Sequence, residues 1–189
     1  MKDAIQLPPA FSASDEPIAF LARMKARASR NFRWTRGQAL RDASLLACWC
    51  HVFRRDDEAM QVCAFLATFR FGGNYDLWTW IEGALALHSR LLRARGRHAE
   101  AGECVERILT AGFVGRRLHG VGLEGYVEGI RGAQERREKT TERDYRMLAA
   151  RELCILVELG GSESLPVDVL ERAFEKNLAR LRELVGAMP

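Results

Sequence analysis

Two short stretches carry the residue types from which chemistry is most often built. Cys48-Trp49-Cys50-His51 places two thiols and an imidazole in four successive positions, the side chains of zinc sites and thiol nucleophiles. Gly120-Val121-Gly122-Leu123-Glu124-Gly125 spells the glycine pattern that lets a backbone wrap the pyrophosphate of a dinucleotide. Each pattern requires a particular element beneath it. In a helix successive residues rotate by about 100°, so Cys48 and Cys50 point about 200° apart and cannot share one ion. The glycine pattern works where a strand runs into a helix, whereas this one follows Arg116, Arg117, Leu118 and His119 at the end of a helical stretch. The expectation is packed core thiols in the first stretch and an inter-helix loop in the second, with no catalytic residue, no cofactor and no metal.

A third group is cationic and aromatic. The chain holds 29 Lys+Arg against 25 Asp+Glu, a net +4, and only Lys2, Lys25, Lys139 and Lys176 are lysines. The excess is local: residues 1–55 carry a net +6, residues 56–112 a net −2, and the remainder is neutral. Arg23, Arg27 and Arg30 share one helical face, and Arg33 and Arg36 extend it around Phe32 and Trp34. A solvated charged face is the commoner meaning of such a pattern, but the same mix meets an acidic protein surface or nucleic acid. Tyr75, Trp78 and Trp80 open a tryptophan-rich helix in which Trp78 and Trp80 point about 200° apart. At most one of them faces the core, and the other packs under a neighbour or anchors a partner. Arg116 and Arg117, in the glycine-rich loop, complete the candidate partner contacts. His88 lies on an apolar stripe and reads as a hydrogen-bonded core residue; Glu82 is either solvent-facing or a buried acid paired with an arginine.

The elements that must position these groups follow from composition and periodicity. With 189 residues, 48% hydrophobic, nine Phe and four Trp, the chain buries a core without disulfides or a structural metal, which excludes a disordered protein. Five cysteines, each among apolar residues, read as reduced thiols of a cytoplasmic protein. The N-terminal residues hold no signal-peptide core, and the longest apolar run, Leu45 to Cys50, falls far short of the ~20 residues of a membrane span.

Apolar residues recur with helical spacing nearly throughout, and no period-two run is bounded by turns, so the fold class is all-α with about seven or eight helices. Residues 1–13 are irregular. Ser14 or Asp15 caps a first helix with Pro17 in its first turn. A second runs from Gln38 with Leu40, Ala43, Leu46, Ala47, Cys50 and Phe53 inward, and Asp56 or Asp57 caps a third. The fourth starts at Asn74, is apolar nearly all round and stops at Gly96; the fifth spans His98 to Ala111. After the glycine-rich loop 112–125, helices cover Leu123 to Lys139, a stretch capped by Thr141 or Asp144 and ending at Gly160-Gly161, and a last stretch opened by Pro166.

A repeat underlies this order. LLACWCHVFRRDDEAMQVCAFLATF and ALALHSRLLRARGRHAEAGECVERIL each read as helix, polar turn, then Glu-Ala opening a second helix, with Glu58-Ala59 and Glu100-Ala101 42 residues apart. The stretch Gln38 to Ala111 thereby resembles tetratricopeptide-type helical repeats, with Arg151 to Leu184 as a third copy, although the spacing exceeds the roughly 34-residue unit and the full Trp, Leu-Gly and Tyr signature is missing. The resemblance implies a single domain over 1–189, an array of antiparallel hairpins in a right-handed superhelix, with a concave face that holds another protein. The segment FGGNYDLWTWIEGALALHSRLLRARG is also similar to a small family of uncharacterised bacterial proteins. The expected function is a non-catalytic protein-binding module, most specifically an immunity protein that neutralises a secreted antibacterial toxin by direct binding. A secretion chaperone or adaptor is one alternative, and a nucleic-acid-associated protein using the Arg23–Arg36 face is another.

Overall fold

Three of the connections between helices share one backbone device. At Arg54, Gly96 and Arg137 the chain turns into the left-handed region, with φ of 59°, 73° and 58°. The next residue then donates its amide five residues back: Arg55 N to Cys50 O, Arg97 N to Leu92 O and Glu138 N to Ala133 O, all at 2.8–3.0 Å. This closure satisfies carbonyls that the helix end would leave open and starts the following helix within a residue. A fourth closure, Gly161 N to Leu156 O, leads into a longer turn held by Ser162 and Leu165.

A computed structural model describes residues 5–32, 36–70, 72–111 and 121–186, the side chains of Arg36 and Val121 excepted. Among the described residues there are eight α-helices and no strand: α1 Ala19–Asn31, α2 Arg36–Val52, α3 Asp56–Leu66, α4 Tyr75–Ala94, α5 His98–Leu109, α6 Val121–Glu135, α7 Lys139–Glu158 and α8 Val167–Gly186. The chain is an all-α array of helical hairpins. Among the described residues no helix is long and apolar enough to cross a membrane.

The chain forms two compact units, Met1–Ala84 and Leu85–Pro189. In the first, α1 packs on α2 and α2 on α3, and a short 3-10 helix, Pro9–Phe11, lies against α1 and α3. Phe11, Phe32 and Phe65 meet edge to face with centroids 5.2–5.9 Å apart, and Phe20 packs against Trp49. Leu40, Ala43, Leu46, Ala47 and Cys50 are all buried, as their spacing predicts. In the second unit α6 packs on α7 and α7 on α8. Here Leu170, Phe174, Leu178, Leu181 and Val185 form the buried stripe of α8. Helix α4 contributes to both units, and Ile81 to Leu87 are buried without a break.

Several boundaries differ from the periodicity reading. The N-terminal segment expected to be irregular contains the 3-10 turn at Pro9–Phe11. Helix α1 starts only at Ala19, with Ile18 as N-cap and Pro17 outside the helix; Asp15 is in the left-handed region, and Glu16 accepts the Ile18 amide at 3.4 Å. Neither Asp56 nor Asp57 caps α3: the N-cap is Arg55, because the left-handed closure already sets the start. The same closure makes Glu138 the N-cap of α7 and leaves Thr141 and Asp144 inside the helix. The residues 121–125, expected in a loop, are the first turn of α6. The same left-handed closure occurs between α6 and α7, at 133–138, and again at Gly161, where the turn into α8 is longer. Asn74 does cap α4, its Oδ1 accepting the Leu77 amide at 3.3 Å.

Candidate functional site

The cationic face of α1 is only partly available. Arg23, Arg27 and Arg30 are exposed. Arg27 Nε donates to Asp42 Oδ2 at 3.0 Å, and Asp42, fully buried on α2, also accepts from Asn31. Arg23 sits 6.0 Å from the Phe20 ring centroid. Arg33, Trp34, Arg116 and Arg117 lie outside the described residues, as does the side chain of Arg36.

The remaining base of this helix points inward. Lys25 shares the Leu21 and Ala28 stripe and is 4% exposed. It donates to Glu16 and, at 2.6 Å, to Glu58, while Arg55 closes the ring by donating to Glu16 at 2.6 Å and pairing with Glu58. Burial opposes ionisation of both Glu16 and Lys25. The hydrogen bonds outweigh it, so Glu16 titrates below its ordinary value and Lys25 above. This ring ties the N-terminal segment to α1 and to the α2–α3 connection.

Of the aromatic candidates, Trp78 is 3% exposed and belongs to the core, which removes it as a surface anchor. Trp80 is half-buried with the Arg41 guanidinium 5.7 Å over its ring, and Tyr75 donates its hydroxyl to Glu82 at 2.9 Å. Glu82 is thus the buried one of the two alternatives, at 2% exposure. Beside Trp78, Leu40, Leu77, Phe69 and Arg70 line a small cavity of about 90 Å³.

Two of the thiols are poor nucleophiles. Cys50 is fully buried and its pKa is pushed up to about 12 by desolvation; Cys104 is pushed up to about 11 for the same reason. Cys104 Sγ lies 3.8 Å from His88 Nδ1, and burial lowers the pKa of His88. His51 Nδ1 is 2.7 Å from Asp56 Oδ1. No group of three His, Cys, Asp or Glu side chains among the described residues is placed to hold a metal.

In the second unit two more carboxylates are enclosed by structural partners. Glu142, on α7, takes the place that Ala59 and Ala101 occupy in the other two turns, and accepts from Gln134, Arg146 and Arg180 at 2.8–3.3 Å. Burial alone would raise it, but the two guanidiniums hold it below its usual value. Glu158, at the end of α7, accepts from Ser89 Oγ at 2.5 Å and from Arg93; here burial dominates and its pKa is raised.

The second unit also carries a surface feature that no motif of the sequence marks. An open groove of about 410 Å³ runs between α6 and the α7–α8 connection, floored by Leu123, Val127 and Leu165 and edged by Glu124, Glu128 and Arg131. Val127 is 46% exposed, and Val167 and Val169, just beyond Leu165, are exposed by 38% and 46%. Glu124, Glu128 and Arg131 make no hydrogen bond or ion pair with another described residue, although all three are exposed on one helix. The signal was present in outline. Val127, Val167 and Val169 are aliphatic positions off the inward stripes of their helices, but burial of a neighbouring helix against them is equally compatible with that pattern.

A family model matches residues 10–183 of the chain. No curated protein and no solved structure matches it.

Proposed function

The chain belongs to the family that this model describes, a family of unknown function (DUF6707), and we propose that it is a non-catalytic protein-binding module. The observation that carries the reading is the groove of the second unit, which sets the exposed Val127 beside Leu123 and Leu165 under a rim of Glu124, Glu128 and Arg131. Exposed apolar surface rimmed by polar groups is characteristic of a contact with another protein. The high thiol pKa values of Cys50 and Cys104 give further support, since a thiol held protonated lacks the reactive form.

Its most specific form is an immunity protein that neutralises a secreted toxin by direct binding; a secretion chaperone or adaptor would use the same kind of contact. Affinity purification of the full chain from its native host tests the reading. A stoichiometric protein companion that survives moderate salt is the expected result, and growth protection against that companion identifies the immunity form. Recovery of the chain alone, at native expression level, overturns it. The exposure of Arg23, Arg27 and Arg30 on one face favours a second reading, association with nucleic acid. It predicts a mobility shift that weakens steeply with salt, and no shift at low salt removes it.

A further inference from the structure

The groove in the second unit has a chemistry that restricts what fills it. Its floor is aliphatic: Leu123 and Val127 from α6 and Leu165 from the α7–α8 connection. Glu124 and Glu128 are one turn apart on α6, so both carboxylates stand along the same lip, and Arg131 follows in the next turn. Neither carboxylate is neutralised by another described residue. Several other surface acids of this unit are engaged: Glu100 with Arg97, Glu138 with Arg136, Asp168 with Arg172, Glu171 and Glu175 with Arg90, and Glu183 with Arg180. Glu124 and Glu128 thus stand beside the open apolar floor with their charge uncompensated by a described residue.

We propose that this groove receives a basic amphipathic helical segment of a protein companion, with aliphatic side chains seated on Val127 and Leu165 and Lys or Arg side chains placed against Glu124 and Glu128. Charge complementarity selects the occupant. An acidic segment would meet two uncompensated carboxylates, and a neutral apolar one would leave both desolvated without a cation. Arg131 sets the direction: the end of the segment beside it presents an acidic side chain or the carbonyl end of its helix, each of which attracts a cation. A helix lying in such a groove is read through anchors at positions i, i+3 or i+4 and i+7, a spacing that matches the one-turn interval of Glu124 and Glu128.

This inference rests on the protein-binding reading, and the measurements separate the two. Fluorescence anisotropy with the full chain uses two labelled helical peptides, one of Leu and Lys in amphipathic order and one with every Lys replaced by Glu. The expected result is saturable one-to-one binding of the Lys peptide that weakens at least tenfold between low salt and about 0.5 M salt, where charges are screened beyond a few ångströms. The Glu peptide should not bind. The double variant Glu124→Lys/Glu128→Lys should lose the Lys peptide by tenfold or more, and Val127→Asp should lower binding while leaving the circular dichroism spectrum unchanged. The variant Arg23→Ala/Arg30→Ala, on the other unit, should bind as the wild type does. Lys-peptide binding that is absent, or that persists in the Glu124→Lys/Glu128→Lys variant, overturns the groove assignment. A native companion whose affinity ignores the groove variants also overturns it, while leaving the protein-binding reading intact.

Discussion

Lys25 Nζ lies 2.6 Å from Glu58 Oε2, a base from the middle of α1 against an acid from the first turn of α3, with the lysine side chain 5% exposed. Removing it takes away the cation buried between Glu16 and Glu58 and leaves them only Arg55, which is one third exposed, as a partner in the ring. Lys25→Met should therefore destabilise the protein by about 3–5 kcal/mol, the usual cost of breaking a buried pair from one side. Urea denaturation followed by circular dichroism measures this; a loss under about 1 kcal/mol would mean that the ring contributes nothing beyond packing. The triple replacement of Lys25, Glu16 and Glu58 by apolar residues should recover much of the loss.

The pH dependence of this ring follows from the two shifts. Glu16 has its folded pKa lowered, so its stabilisation is present above the unfolded value of 4.5 and disappears as pH falls through the folded one. Lys25 has its folded pKa raised, so its share is present below 10.5 and is lost only as pH climbs through the higher folded value. Glu142, also lowered, adds to the acid limb. Stability should hold across neutral pH and fall below about pH 4.5, with Lys25→Met showing a shallower acid limb than the wild type.

Glu158 behaves in the opposite sense. Its folded pKa is raised, so folding favours the protonated carboxyl and the contribution of this group declines as pH rises from 4.5 through the folded pKa. Glu158→Gln keeps an acceptor for Ser89 and cannot ionise. Its stability relative to the wild type should increase between pH 4 and pH 8 in parallel urea titrations, and a difference independent of pH would contradict the assignment.

Two helix-ending arginines occupy a conformation that suits glycine. Arg137→Gly should stabilise the protein by up to about 1 kcal/mol, because a left-handed non-glycine residue carries a penalty of roughly 1–2 kcal/mol that the gain in unfolded-chain freedom only partly offsets. Gly96→Ala, at the equivalent place in the second turn, should cost about 1 kcal/mol. Thermal unfolding resolves both, and equal midpoints for the pair would refute the shared-turn account.

Within α6 two glycines should respond with opposite signs. A Cβ on Gly129 would lie 2.6 Å from the Tyr145 ring, so Gly129→Ala forces α6 and α7 apart and should cost about 1–2 kcal/mol after the gain in helix propensity. At Gly125 nothing lies within 4 Å, and Gly125→Ala should stabilise by about 0.5–1 kcal/mol. The two differ only in what they touch.

Much of the architecture was readable because its causes are local. The stripe of α8, the capping Asn74 and the stop at Gly96 depend on residues within a few turns of one another. The 42-residue recurrence was visible because Glu58-Ala59 and Glu100-Ala101 repeat in letters and occupy the third and fourth positions of their helices. The closure at Arg137 has no such signature because the device is a backbone conformation: Arg54, Gly96 and Arg137 have no common side chain, and Glu142 stands where the others place alanine. The capping positions depend on the same device, since the left-handed closure makes Arg55 and Glu138 the N-cap residues and places Asp56 and Thr141 inside the helices that follow.

From the sequence alone came the helical class, the inward stripes and the burial of four of the five cysteines, Cys48 being half-buried, all consequences of periodicity and side-chain transfer to an apolar interior. Only the tertiary structure decided which charges meet. Lys25 and Arg23 differ on a helical wheel merely in direction, yet one is enclosed by acids from positions 16 and 58 and the other lies in solvent. The groove is of the same kind, for whether Val127 is covered depends on where the chain around Leu165 passes. Coulomb interaction and burial act through space between residues far apart in the chain, and no local pattern encodes that proximity.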